Sequence, residues 1–333
     1  MNKQNMPTGW EPPAPAWKAL WKVSDQQAYS SLTAGYFGIQ GNDHSLLSVW
    51  AQDAFTSQHA PKLLERARYI DQHGLTNFVF IAYWEAGEYQ KWWQDHSLWW
   101  QQDAIVDHGI GLWREIIQMP YERFETLHSS QKTHGVSKIA ENIEGPIQNH
   151  GYAGSARDRI PISASDNLKS KVTISELLSK KVSNKGKRVQ INPPGNMCVI
   201  RSGQNWSNCV GEQKDYYLNE LQPALLAGMN YLRENPIEST CYVMRFMTSC
   251  DEQWNEVEET FGLGYGIDIY TFETWAKSHP THIDIFSKFI SMAETFGEKL
   301  SLQLWHEVIV LAEAGCECEY INCHSETGLM RYG

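Results

Sequence analysis

Two periodicities run along this chain, and the places where one replaces the other mark its elements. From Pro280 the apolar residues Ile285, Phe286, Phe289, Ile290 and Ala293 recur at helical spacing, with His282 at the head of the stripe formed by 282, 286, 289 and 293. Pro280 suits a first helical turn, so His282 enters early in that helix. Residues 302–310 alternate with period two, and the alternation sets His306 between Leu304 and Val308 on the side of Leu302 and Val310. This predicts a strand, with both imidazoles pointing inward. Further strands are expected over 34–40, 78–83, 112–117, 199–204 and 262–267. A tryptophan-rich helix is expected over 88–104, and the segments 124–128 and 319–324 follow the later strands of each half.

The order of these elements repeats. Tyr89, Trp92, His96 and Trp99 match Phe272, Trp275, His279 and His282, and Trp113-Arg114-Glu115 matches Trp305-His306-Glu307. Strands, helices and strands without regular βα alternation point to an α+β fold with antiparallel sheet and helices packed outside. The expected architecture is two ferredoxin-like units, residues 28–189 and 190–333, whose sheets join into a barrel-like core behind an N-terminal extension, 1–27. The repeat acts as an internal control. Where the second half has His282 and His306, the first has Trp99 and Arg114, so neither histidine is needed to build the scaffold.

Composition narrows the partners. A net charge of −11 disfavours nucleic acid and anionic membranes, and no apolar run approaches the length of a membrane span. The one basic run, 169–188, is interleaved with Ser, Asn and Gly and reads as a solvated loop. Seven cysteines without a secretory segment are not a disulfide framework, which points to the reducing cytoplasm. Fourteen tryptophans are many; they suit core packing, and also a protein that surrounds a large flat ligand.

A lone histidine on an apolar face is more often a hydrogen-bonded core residue than a ligand. Two in one half, both unmatched in the other, shift the balance toward function: imidazole is the common axial ligand of haem iron, and a second imidazole can act as acid or base near neutrality. Covalent haem attachment needs two cysteines before a histidine, and Tyr320-Ile321-Asn322-Cys323-His324 has Tyr320 in the first place, so a haem would be non-covalent b type. The spacing of Cys316, Cys318, Cys323 and His324 fits no usual zinc pattern. Arg157 and Arg159 flank Asp158 in a glycine-containing turn. They either pair with Asp158 or another surface carboxylate, or aim into a cavity to hold a polar leaving group. Ser202 shares a strand face with Cys198 and Ile200, without the flanking glycines of a hydrolase serine. Glu125 carries no signal of its own.

Taken in order, these motifs resemble the haem-containing aldoxime dehydratases, aliphatic and phenylacetaldoxime enzymes, from about Gly35 to Leu329. The residues are Gly35-Tyr36-Phe37-Gly38-Ile39-Gln40, Phe124-Glu125-Thr126-Leu127, Gly154-Ser155-Ala156-Arg157-Asp158-Arg159-Ile160-Pro161, Ile200-Arg201-Ser202-Gly203-Gln204-Asn205-Trp206, Ser278-His279-Pro280-Thr281-His282, Trp305-His306-Glu307-Val308 and Tyr320-Ile321-Asn322-Cys323-His324. The resemblance implies His282 as the proximal iron ligand, His306 as the distal acid/base, and Ser202, Arg159 and Glu125 in the distal pocket, with Phe289 and Leu127 lining it. It implies ferrous haem b and conversion of an aldoxime, R–CH=N–OH, to a nitrile and water. A homodimer stays open. A haem peroxidase and a non-enzymatic haem-binding or sensing module are the competing readings on the same scaffold. The departures, over 169–187 and 294–300, bear on substrate preference more than on chemistry.

Overall fold

The strands form where β-branched and aromatic residues concentrate. In the computed structural model, which describes residues 5–21, 31–179 and 188–332, they are β1 (Lys18–Leu20), β2 (Ser31–Gln40), β3 (Leu63–Ile70), β4 (Thr76–Glu85), β5 (Gly111–Pro120), β6 (Phe124–His128) and β7 (Asn142–Glu144). After residue 188 come β8 (Val189–Ile191), β9 (Cys198–Asn205), β10 (Cys241–Cys250), β11 (Glu256–Gly266), β12 (Gln303–Val310) and β13 (Cys316–Ile321). β1 pairs with β7. The others form one antiparallel sheet in the order β6-β12-β9-β11-β10-β3-β4-β2-β5-β13-β8. The order is symmetric about the β10–β3 joint: β12-β9-β11-β10 mirrors β5-β2-β4-β3, and β6 and β13 each pair with the opposite half.

Helices Ser45–Ala54 and Glu88–Gln101 cover one part of the outer face; Gln222–Glu234, Ile269–Ser278 and Pro280–Phe296 cover the other. The fold is therefore α+β, with a large antiparallel sheet and helices outside. Among the described residues, no helix is long and apolar enough to cross a membrane.

The barrel expected from the sequence does not close. β6 and β8 end the sheet, and no ladder joins them among the described residues. Side chains make the closure instead. β12 and β4 lie five strand spacings apart, about 24 Å in a flat sheet, yet Tyr83 Oη on β4 donates to Glu307 Oε2 on β12 at 2.8 Å. The sheet must curl so that its inner face meets itself. There the largest core gathers Tyr36, Trp113, Phe261 and Trp305. Packing on that face is close: Gly38 lies under Trp113 and Gly203 under Trp305, and a Cβ at either glycine would run into the indole.

Two other expectations need correction. The helix expected over 88–104 ends at Gln101, because Gln102 is extended, and a short helix, Asp103–Asp107, follows. The basic run is not wholly a solvated loop. Ile174–Ser179 is helical and buries Ile174 and Leu177 against the core, because these two apolar residues interrupt the polar run; residues 180–187 lie outside the described residues.

The curled face also buries charge. Arg201 Nη1 lies 2.8 Å from Glu65 Oε2, donates to Tyr83 Oη at 3.0 Å and stacks over Phe261. Arg245 grips Glu115 with both terminal nitrogens, at 2.8 and 2.5 Å, while Tyr265 and Tyr320 donate to the same carboxylate. Burial works to raise both the Glu115 and Glu307 pKa values, but only Glu115, with its two-pronged arginine, ends below the usual carboxylate range. Arg245→Met should leave Glu115 buried without its cation and lower the unfolding free energy by about 3–5 kcal/mol in urea titrations. Arg68→Met, which breaks an exposed pair with Glu256, should change it by less than about 1 kcal/mol.

Candidate active site

β12 packs on both faces, fully from Trp305 onward on the inner one and only in part on the outer one at Leu304 and His306. Trp305, Glu307 and Ile309 point into the curled core, while Val308 and Val310 point toward the outer helices. His306 lies on the helix-covered face. The side expected to be inward is thus the outer one, because a strand with apolar residues on both faces gives no signal for which layer it meets.

Register assembles the site. His306 is paired with Leu127 on β6 and Ser202 on β9, and Ser202 with Gly262 on β11, so the first three side chains share one row on the outer face. In the next row Glu125, Val308, Ile200 and Gly264 are paired in the same way. Glu125 reaches back so that its Oε1 lies 2.8 Å from His306 Nε2. Arg159, from the short helix Ser155–Arg159, donates through Nε and Nη2 to the two oxygens of Glu125 at 2.8 and 3.0 Å, and through Nη1 to the Asn149 carbonyl at 2.7 Å. Its Nη2 is 3.3 Å from His306 Nε2. Burial alone would raise the Glu125 pKa; Arg159 first, and then His306, pull it down to about 2. Glu125 is therefore a buried carboxylate, acceptor only, and the His306 Nε2 proton is held on it.

The surface reading of the arginines does not hold. Arg159 is 1% exposed on Glu125, Arg157 clamps Glu273 through two contacts of 3.0 Å, and Asp158 accepts from Asn5 and Tyr152 instead.

His282 stands in the helical layer. Its ring meets Trp275 edge-on at 4.7 Å, and its Nδ1 is buried without a hydrogen-bond partner. Burial pushes its pKa down to about 4, and the Ala276 carbonyl offsets part of this without reaching hydrogen-bond geometry. At neutral pH the imidazole keeps a lone pair for a metal. The helical stripe that should carry it into the interior is not packed there. Only Met292 of Pro280–Phe296 is buried, Phe286 is 44% exposed, and Phe289 is half-buried in a cluster that reaches Leu304. Across from it, Leu127, His306 and Ser202 stay half-open although β12 and β9 have neighbours on both sides. A neutral imidazole, an uncovered apolar helix face and an open row of an interior sheet together fit a flat, apolar, metal-centred group between the two layers.

The tryptophans do not surround this site. Trp50, Trp84, Trp92 and Trp100 pack with Phe37 and Phe55 beneath the helices of the other half. There Phe37, paired with Arg114, lies under tryptophan where the second half has the open Ser202 and His306. Sequence reasoning also passed over Gly262 and Gly264. A Cβ at these positions would lie 2.8 Å from Met229 Sδ and 2.6 Å from Met244 Cε, so both keep the sheet surface low beside Ser202. The Gly-Leu-Gly run in a strand was the available signal.

The layers and the donor set define an α+β protein with an enzymatic centre built for a bound prosthetic group. Residues 35–329 match the model of the haem-containing dehydratases, and the chain belongs to that family, with haem as its cofactor. Aliphatic aldoxime dehydratase of Rhodococcus globerulus is 32% identical to it, over 98% of this chain and 93% of that one. Phenylacetaldoxime dehydratase of Bacillus sp. (strain OxB-1) is also 32% identical, over 99% and 94%. A crystal structure of an aldoxime dehydratase in complex with butyraldoxime superposes with a TM-score of 0.89 at 30% identity, covering 99% of this chain and 92% of that one.

The low Glu125 pKa has a stability consequence. A depressed folded-state value means stability that is present above about 4.5 and is lost as pH falls toward about 2. Urea unfolding of Glu125→Gln against the parent protein should show the largest deficit near neutrality, narrowing through that window. A deficit independent of pH would assign the loss to packing.

Proposed function

We propose that this chain dehydrates aldoximes to nitriles, at a site made by His282 on one side and His306, Ser202, Glu125 and Arg159 on the other. The observation that carries the proposal is the His306–Glu125–Arg159 group set on an open row of the sheet, facing the helical layer that holds a neutral His282. His282 would hold ferrous haem b, which would supply an electron-rich iron to the oxime.

The protein's own groups handle the protons. Hydroxide is a poor leaving group, so a proton must arrive as the N–O bond lengthens. His306, as imidazolium, delivers it. With Nε2 committed to Glu125, Nδ1 is left as the ring nitrogen to give it up. Ser202, beside His306 in the register, holds the departing oxygen. Neutral Nδ1 then takes the carbon-bound proton, so the nitrile and water leave with no net change in protons or electrons. Glu125 holds the Nε2 proton throughout, and Arg159 acts through Glu125 rather than on substrate. Leu127 and Phe289 exclude water as pocket walls.

We also infer that residues 28–189 and 190–333 are two ferredoxin-like units, each adding one strand, β6 or β13, to the other, with 1–27 as an extension. The enzyme is read as cytoplasmic, with a homodimer compatible with it.

His282→Ala should lose haem and the Soret band. His306→Ala should keep both and lose turnover by on the order of 10²–10⁴-fold. Wild-type turnover by His306→Ala would remove it as the acid/base. Anaerobic incubation of the reduced holoprotein with butyraldoxime should give butyronitrile; turnover only with peroxide and a dye would favour a peroxidase instead.

A further inference from the structure

Arg159 sits at the end of a loop that also supplies the carbonyl on which it rests, since Arg159 Nη1 donates to Asn149. The outer side of that loop is covered by the start of the chain. Asn5 donates to both oxygens of Asp158, through its backbone nitrogen at 2.8 Å and its side-chain amide at 2.7 Å. Trp10 donates to the His150 carbonyl at 2.9 Å and meets Tyr152 edge-on at 5.6 Å. Two glycines make room for this contact. Gly151 and Gly154 have φ of +78° and +87°, and a Cβ would lie 2.7 Å from Pro13 Cδ and 2.8 Å from Asn5 Cγ respectively. Three consecutive residues are thus tied: Arg157 to Glu273 and, through Nη2 at 3.4 Å, to Asn5 Oδ1; Asp158 to the N-terminal segment; and Arg159 to Glu125.

We propose that residues 5–13 are a clasp that positions the proton-transfer group: by holding the Asn149–Arg159 loop, they fix the Arg159 fork on Glu125 and, through it, His306. The proposal rests on the reading that Arg159 orients Glu125 and His306. Its physical basis is that a two-pronged arginine contact tolerates little displacement, while a loop hinged on two left-handed glycines keeps one shape only when it is held from outside. Among the described residues no hydrogen bond joins this segment to Ser202 or His282; its one link toward the helical layer runs from Asn5 through Arg157 to Glu273, so the clasp should act first on the proton step.

The test is a pair swap. Asn5→Asp sets two carboxylates against each other and should open the clasp; Asn5→Asp with Asp158→Asn restores one donor and one acceptor and should close it. For Asn5→Asp we expect wild-type haem content and KM, a loss of kcat of about tenfold or more, faster amide exchange over 149–159 in the haem-free protein, and a shifted C–O stretch in the ferrous carbonyl complex. The double variant should recover all three. Wild-type exchange and kcat in Asn5→Asp, or no recovery in the double variant, would overturn the clasp. Arg159→Met separates the two readings. If it keeps wild-type kcat, the role of Arg159 is wrong; if it loses kcat while Asn5→Asp does not, only the clasp falls.

Discussion

The buried pairing of arginine with glutamate across the curled face is the constraint on which the rest of this structure depends. An eleven-stranded sheet with free ends has no backbone reason to fold on itself. It does so here because Arg245 on β10 is paired with Glu115 on β5, four strands away, and because Glu65, Tyr83 and Glu307 surround Arg201. Each ion would be expensive to bury alone, so one curvature satisfies them together. Pairs of this kind add little net stability over apolar packing, but they reject other registers. A shift of one residue on β9 would turn Arg201 to the outer face and Ser202 to the core.

That coupling between faces explains how a structural network also sets the row proposed for catalysis. Arg201 precedes Ser202, and Glu307 follows His306. Once the inner face has fixed Arg201 opposite Glu307, the outer face has Ser202 opposite His306 with no further choice. The first half carries the same backbone logic with different side chains: Glu115 takes the inner place, and Arg114 and Phe37 take the outer one. There the outer layer closes with tryptophan. Chemistry needed only that the second half leave its row open.

Much of this was legible in the sequence, and the gaps have physical causes. Strands over 78–83, 112–117 and 302–310 were readable because aromatic and β-branched runs are bounded by breakers, and the repeat ordered them. Leu63–Ile70 and Cys241–Cys250, the strands that join the halves, were not, because Glu65, Arg66 and Arg68 interrupt the first and the buried Arg245 interrupts the second. His306 and His282 stood out as polar exceptions in apolar patterns. Glu125 could not, since its meaning lies in a guanidinium 34 residues away. The arginine turn stayed open between two readings for the same reason: local charge balance offered Asp158 as a partner, and the fold supplied Glu125, Glu273 and Asn5.

The break before His282 shows how little sequence the change of function required. In the first half Glu88–Gln101 runs without interruption and carries Trp92, Trp99 and Trp100 along one helix; Trp99 stacks on Trp50. In the second half the corresponding helix stops at Ser278. Pro280 disfavours helical backbone at the residue before it, and His279 is extended, with φ −80° and ψ 132°. A new helix then starts, capped by His279, whose Nδ1 accepts from the Thr281 backbone nitrogen. His282 thereby falls in a first turn beside the end of the preceding helix, where Trp275 flanks its ring. An uninterrupted helix would have carried the position on along the same outer face, as it carries Trp99. The proline thus does more than begin a helix: it sets the imidazole at an elbow between two helices, across from the row that the arginine networks hold in register.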